Sequence, residues 1–238
     1  MNKVRTVSDT KQNFYTHHTR PINSIYRRVV EELMVEMHLL SVNVNFGYDP
    51  IYGLGVASSY ERFMSSYKPE ADRVSIFEAL CRAVETDPQQ YHQDAATLLG
   101  LAEKISLDQL LNWTSSLGSY DGAQPLYNAL NAIASPERKF KYSRLFAIGL
   151  YALIEKISPA TAQDHKKLNE VLQSLGEGLR LPIDKLQKDL ELYQGNLEKM
   201  EQAKRVLQDA LEADRKKRLK RALEKTQGAE SSENAQGA

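Results

Sequence analysis

DPQQYHQDAATLLGLA, residues 87–102, holds in one stretch the signals that decide the fold. Asp87 offers a side-chain acceptor to the free N–H groups of a first helical turn. Pro88 presets φ where a missing N–H costs nothing. Tyr91, Ala95, Leu98 and Ala102 then recur at steps of three and four, which gives the segment one apolar face. The stretch reads as a capped amphipathic helix.

The same pattern recurs outward from it. Asp49-Pro50, Ser135-Pro136 and Ser158-Pro159 predict three more helix starts. Ser106 and Gln109 have capping-box spacing, with Ile105 and Leu110 placed as a hydrophobic staple. Ile22, Tyr26, Val29, Leu33, Met37 and Leu40 repeat the helical period. Strand signals are nearly absent: Val42, Val44 and Phe46 alternate, but three members read better as the end of a helix before the Asp49 cap. Asp121-Gly122 and Gly176 to Gly178 read as interior turns. The expected fold is all-α: a compact body of about eight helices with a long C-terminal helix of coiled-coil character.

Leu145 to Ile154 is the most apolar run, and it is far short of the roughly 20 residues that cross a bilayer. It reads as the central buried helix, and no segment is expected to span a membrane. From Ile183 to about Lys225, Gly195 is the one helix-weakening residue, and a single helix of about 63 Å is expected. Leu190, Leu197, Lys204 and Leu211 share one heptad position; Leu186, Tyr193, Met200 and Leu207 share the other. The domain reading is a helical body over 1–182, a charged helix over 183–225 and a polar, small-residue tail over 226–238 that is expected to be disordered.

The 238 residues balance 31 basic against 31 acidic side chains, so no global field draws the chain to nucleic acid or anionic lipid. Any charge effect is local. It is concentrated in Arg215, Lys216, Lys217, Arg218, Lys220 and Arg221, the candidate contact for an acidic partner or lipid headgroups. A solvated helix face is the bland reading of that run. Nucleic acid comes last, because no aromatic residue follows Tyr193 to stack a base. A single cysteine, Cys81, excludes an intramolecular disulfide and any multi-thiolate zinc site. Its spacing with Val74, Phe77, Leu80 and Val84 predicts a buried helix-face thiol. Met1 to Asp9 has no apolar stretch of the signal-peptide type and is too short and acid-bearing for a transit peptide.

Candidate chemistry is thin. Di-iron bundles need Glu-x-x-His pairs, and none of the five histidines has Glu three residues before it. Glu32, Glu36 and His38 are close in sequence, but the helical period turns His38 about 160° from Glu36. Gly53-Leu-Gly55 lacks the third glycine and the lysine of a phosphate loop and predicts close helix packing instead. No Gly-x-Ser-x-Gly elbow occurs. The expectation is no catalytic residues, no metal and no cofactor. The rival reading, an enzyme or pocket protein handling pigment or lipid, rests on Tyr26, Tyr48, Tyr52 and Tyr60 as polar groups on buried faces.

TVSDTK at Thr6–Lys11, HTRPINSIYRRVVEELMVEMHLL at His18–Leu40, YDPIYGLG at Tyr48–Gly55, IFEALCRA at Ile76–Ala83 and DPQQYHQDA at Asp87–Ala95 together closely resemble the thylakoid formation protein family of cyanobacteria and plastids. The specific strings cover roughly the first hundred residues. The resemblance implies a non-enzymatic factor in photosystem II biogenesis and repair, peripheral on the cytoplasmic side of the thylakoid membrane. It further implies a link to membrane-bound FtsH protease complexes as partner, and carries over no catalytic residues. A monomer is expected, since a homodimeric coiled coil would have only about four heptads and Lys204 in its seam. Whether the long helix projects or folds back on the body stays open at this level.

Overall fold

The computed structural model describes residues 5–112, 122–135 and 140–236, with side chains except those of 207 and 219–236. Eleven helices and no strand occur among the described residues. They are α1 (Val7–His17), α2 (Ser24–Ser41), α3 (Pro50–Met64), α4 (Glu70–Ala83), α5 (Pro88–Ala102), α6 (Leu107–Leu111), α7 (Gln124–Ala134), α8 (Arg144–Ile157), α9 (Pro159–Gln163), α10 (His165–Leu179) and α11 (Ile183–Gln236). Two of them, α6 and α9, are only five residues long.

The caps explain where these helices start. Asp49 accepts from the Tyr52 N–H and Asp87 from the Gln89 N–H, each with proline in the first turn behind it. Ser106 and Gln109 close a reciprocal capping box, as do Thr6 and Asp9 at α1. Ser158 departs from expectation. It precedes Pro159 at the start of α9, but its hydroxyl pairs with the Thr161 hydroxyl at 2.8 Å and caps no backbone N–H. Ser135 ends α7, and Pro136 lies outside the described residues, as does Asp121 of the expected Asp121-Gly122 turn.

Gly176 to Gly178 do not form a turn; they lie within α10. A Cβ at Gly176 would stand 2.7 Å from the Ile183 side chain, so this glycine lets the start of α11 close onto α10. The turn falls on Arg180, which is left-handed at φ 56°, and the Leu181 N–H reaches back to the Gly176 carbonyl.

All ten residues from Leu145 to Ile154 in α8 are buried. The most extensive pairing is α3 with α8, followed by α3 with α5 and α1 with α4. At the α3–α8 crossing, a Cβ at Gly55 would stand 1.7 Å from the Leu145 carbonyl oxygen. Gly55 thus serves close helix packing, as the sequence suggests, whereas Gly53 makes room for the Tyr48 side chain. Val42 follows the last residue of α2, and the Val42–Phe46 alternation buries nothing at its tip, since Val44 is 95% exposed. Val74 also departs from the expected face: it is 54% exposed, while Phe77, Leu80, Cys81 and Val84 are buried.

The chain divides into two compact units, Met1–Gln194 and Gly195–Ala238. The boundary therefore falls within α11, three turns later than the 182/183 division read from composition. The reason is that Leu186, Leu190 and Tyr193 belong to the core of the first unit, each 3% exposed or less. At the other end α11 continues to Gln236, although 226–238 reads as a disordered tail. That run is free of proline, and its Ala and Glu residues are strong helix formers.

Candidate interaction surface

Arg215, Lys216, Lys217 and Arg218 are all exposed. Arg218 Nε meets Asp214 Oδ2 at 2.9 Å, a one-turn pair on the helix surface. Lys220 and Arg221 continue the same helix by their backbone; their side chains lie outside the described set. Above this basic run, Val206 is 68% exposed and Leu211 62% exposed. Leu211 is thus the open end of a heptad seam whose first members are body core. Leu207 also lies in that seam, but its side chain is not among those described.

Two clefts open on the first unit. One of about 390 Å³ lies between α3, α5 and α8, with Ala57, Ala95 and Ala152 among its lining residues. Its charges are matched: Arg62 pairs with Glu155, and Lys156 Nζ meets Glu103 at 2.6 Å. The other, about 480 Å³, is lined by Glu78, Arg82, Glu85 and Asp87 with His17. There Arg82 faces Glu78 at 3.9 Å and Arg5 holds Glu85 at 3.0 Å. Ser58 and His92 both line the first cleft, but no hydrogen bond joins them, and among the described residues no group of three His, Cys, Asp or Glu is placed to hold a metal ion.

The sequence candidates for chemistry are drawn into packing. Glu36 pairs with Arg144 at 2.6 Å and Glu32 with Arg28 at 2.8 Å, while His38 is buried with Nδ1 on the Thr10 hydroxyl at 2.8 Å. These three residues form no site. Cys81 is buried, and burial pushes its thiol up to about 12, out of the reactive range. Tyr26, Tyr48, Tyr52 and Tyr60 line neither cleft. Tyr48 donates to Asp94 at 2.7 Å and Tyr60 to the Arg73 carbonyl, and the rings of Tyr48, Tyr52 and Tyr91 pack edge to face.

One cluster escapes sequence reasoning. Arg62 on α3 pairs with Glu155 on α8 and lies over the Tyr151 ring, 5.6 Å from its centroid. Tyr193 of α11 packs against Phe63 and Tyr151. Its buried hydroxyl has no hydrogen-bond partner among the described residues, and burial raises its pKa. This cluster anchors the first turns of α11. No local signal announces it, since 93 residues separate Arg62 from Glu155.

A family model described as thylakoid formation protein matches residues 6–222. The chain belongs to the thylakoid formation protein family. Protein Thf1 of Nostoc punctiforme is 54% identical over 95% of this chain and 96% of its own length. Protein Thf1 of Crocosphaera subtropica is 53% identical over 94% of this chain and 91% of its own. The solved structure of Psb29 is 45% identical, covers 90% of this chain and 98% of its own, and superposes with a TM-score of 0.79. The all-α architecture of this family member is thus the one seen in that structure. Among the described residues no helix is long and apolar enough to cross a membrane.

Proposed function

We propose that the chain is a non-enzymatic auxiliary factor in thylakoid formation and photosystem II biogenesis and repair. It acts by binding and supporting membrane-bound FtsH protease complexes, from a peripheral position on the cytoplasmic side of the thylakoid membrane. Family membership supports the thylakoid role. The observation that carries the binding role is the division of α11: its first turns are core, whereas from Gly195 onward the helix belongs to a second unit with Val206 and Leu211 exposed. Exposed aliphatic residues on a long helix suit docking against a partner helix, and beyond Gly195 Val206 and Leu211 are such residues. The protein itself acts as a monomer, without cofactor, and nucleic acid is not its partner.

Co-purification from detergent-solubilised thylakoid membranes tests this reading. The tagged full chain is compared with one ending at Gln194, which keeps Leu186, Leu190 and Tyr193 and so preserves the body core. FtsH subunits recovered with the full chain alone support the helix as the contact. Equal recovery with both moves the contact to the body, and recovery with neither removes direct protease binding.

A further inference from the structure

Six of the seven residues from Arg215 to Arg221 are basic and none is acidic. Successive helical residues step by about 100°. Arg215, Lys216, Lys217 and Arg218 therefore point in four directions around the axis, and all four are exposed. The charge forms a sleeve, not a face. Such crowding costs like-charge repulsion in the free protein, and among the described side chains of this run Arg218 alone is relieved by an ion pair, with Asp214.

The rest of the chain has the opposite sign. With 31 basic and 31 acidic residues in all, taking away these six leaves a net charge of −6. An anionic surface therefore repels the remainder and attracts the sleeve. A folded acidic partner reads one face of a helix at fixed positions and leaves the far side idle. Mobile anionic headgroups gather wherever charge is offered, and long Lys and Arg stems reach down to them from the flanks of a helix lying on the surface. Leu219, Ala222 and Leu223, interleaved in the sequence, add apolar residues of the kind that interfacial helices bury.

We infer that this sleeve binds directly to a surface of anionic lipid headgroups, so that the chain reaches a membrane without the protease complex as intermediary. The inference takes from the proposed function only the peripheral membrane location. The attraction is electrostatic: it needs charge, not residue identity, and it weakens with salt. Near an anionic surface each Lys or Arg strengthens binding about fivefold. Six together place the expected loss on neutralisation well above a hundredfold.

The test is co-sedimentation of the purified full chain with protein-free vesicles. Phosphatidylcholine alone is compared with phosphatidylcholine containing about one-third phosphatidylglycerol. Binding is expected on the anionic vesicles only, and is lost in about 0.5 M salt. Replacing all six basic residues by Gln abolishes it, while exchanging each Lys for Arg and each Arg for Lys keeps it. Unchanged helix content and an unchanged unfolding midpoint verify that the Gln variant is folded. Failure to bind anionic vesicles, or undiminished binding by the Gln variant, overturns the inference. Retention on protease-containing membranes with none on vesicles would assign the sleeve to an acidic protein. Tighter binding to RNA than to vesicles at matched salt would assign it to nucleic acid. Because protease recovery is measured in detergent, the lipid inference and the protease reading fail separately.

Discussion

Gly149 on α8 and Gly55 on α3 meet backbone to backbone: a Cβ at Gly149 would stand 3.0 Å from the Gly55 nitrogen and 1.9 Å from the Ile51 carbonyl oxygen. Neither obstacle can rotate away, because both belong to helix backbone at the most extensive helix pairing in the body. Gly149→Ala must therefore separate α3 from α8 and loosen the packing of the buried run 145–154. Overpacking of a core costs about 1–3 kcal/mol, and a backbone obstacle puts this case at the upper end. Urea unfolding of Gly149→Ala is expected to show that loss. Gly100→Ala is the control, since a Cβ there meets nothing within 4 Å and alanine favours a helix. Equal midpoints for the two variants would contradict the close crossing.

Tyr193 offers the opposite sign. Its buried hydroxyl has no hydrogen-bond partner among the described residues, while its ring packs against Phe63 and Tyr151. Removing the oxygen and keeping the ring discards a desolvation cost of about 1 kcal/mol. Tyr193→Phe is expected to unfold at the same or higher urea concentration than the parent, whereas Tyr193→Ala should lose about 3–5 kcal/mol as a buried aromatic. A marked loss in the Phe variant would mean that the hydroxyl has a partner.

Two buried histidines set the response to mild acid. Burial lowers the pKa of His18, with Asp72 acting against and Arg20 with the shift; burial also lowers His38, with Arg5 acting with and Asp9 against. A histidine depressed in the folded state binds its proton more readily when unfolded. Its contribution is present above about pH 6.5, the unfolded value, and is lost as pH falls through the folded one. The urea midpoint is expected to fall between pH 7.5 and 5.5, and His38→Asn should flatten that fall. A midpoint constant over the range would contradict the assignment.

Much of this was legible in the sequence. Asp49, Asp87 and Ser106 mark helix starts because a cap is a local device: donor and acceptor lie within three residues. The buried run in α8 was legible for the same reason, as were the small residues of Gly53-Leu-Gly55. The end of the body was not. Leu186, Leu190 and Tyr193 keep the heptad spacing of the residues after them, and only tertiary packing separates buried Leu190 from exposed Leu211. The Arg62–Glu155 pair was invisible because nothing local links α3 to α8. The lining of the two clefts was equally hidden, being assembled from distant segments.

Cys81 gives a simple check on the solidity of the body. The thiol is buried and raised to about 12, so thiolate is scarce and the sulfur is shielded. Alkylation at pH 8 is expected to be negligible in the native protein and rapid in denaturant. Fast native labelling would mean that α4 opens readily.

The central claim, that α11 beyond Gly195 holds the protein partner, is tested most directly by site-specific photocrosslinking in cells. A photoreactive side chain is placed in turn at Val206, Leu211 and Val44, three exposed aliphatic positions of which the last lies on the body. Crosslinks to an FtsH subunit are expected from Val206 or Leu211 and none from Val44. Crosslinks from Val44 with none from the two helix positions would contradict it.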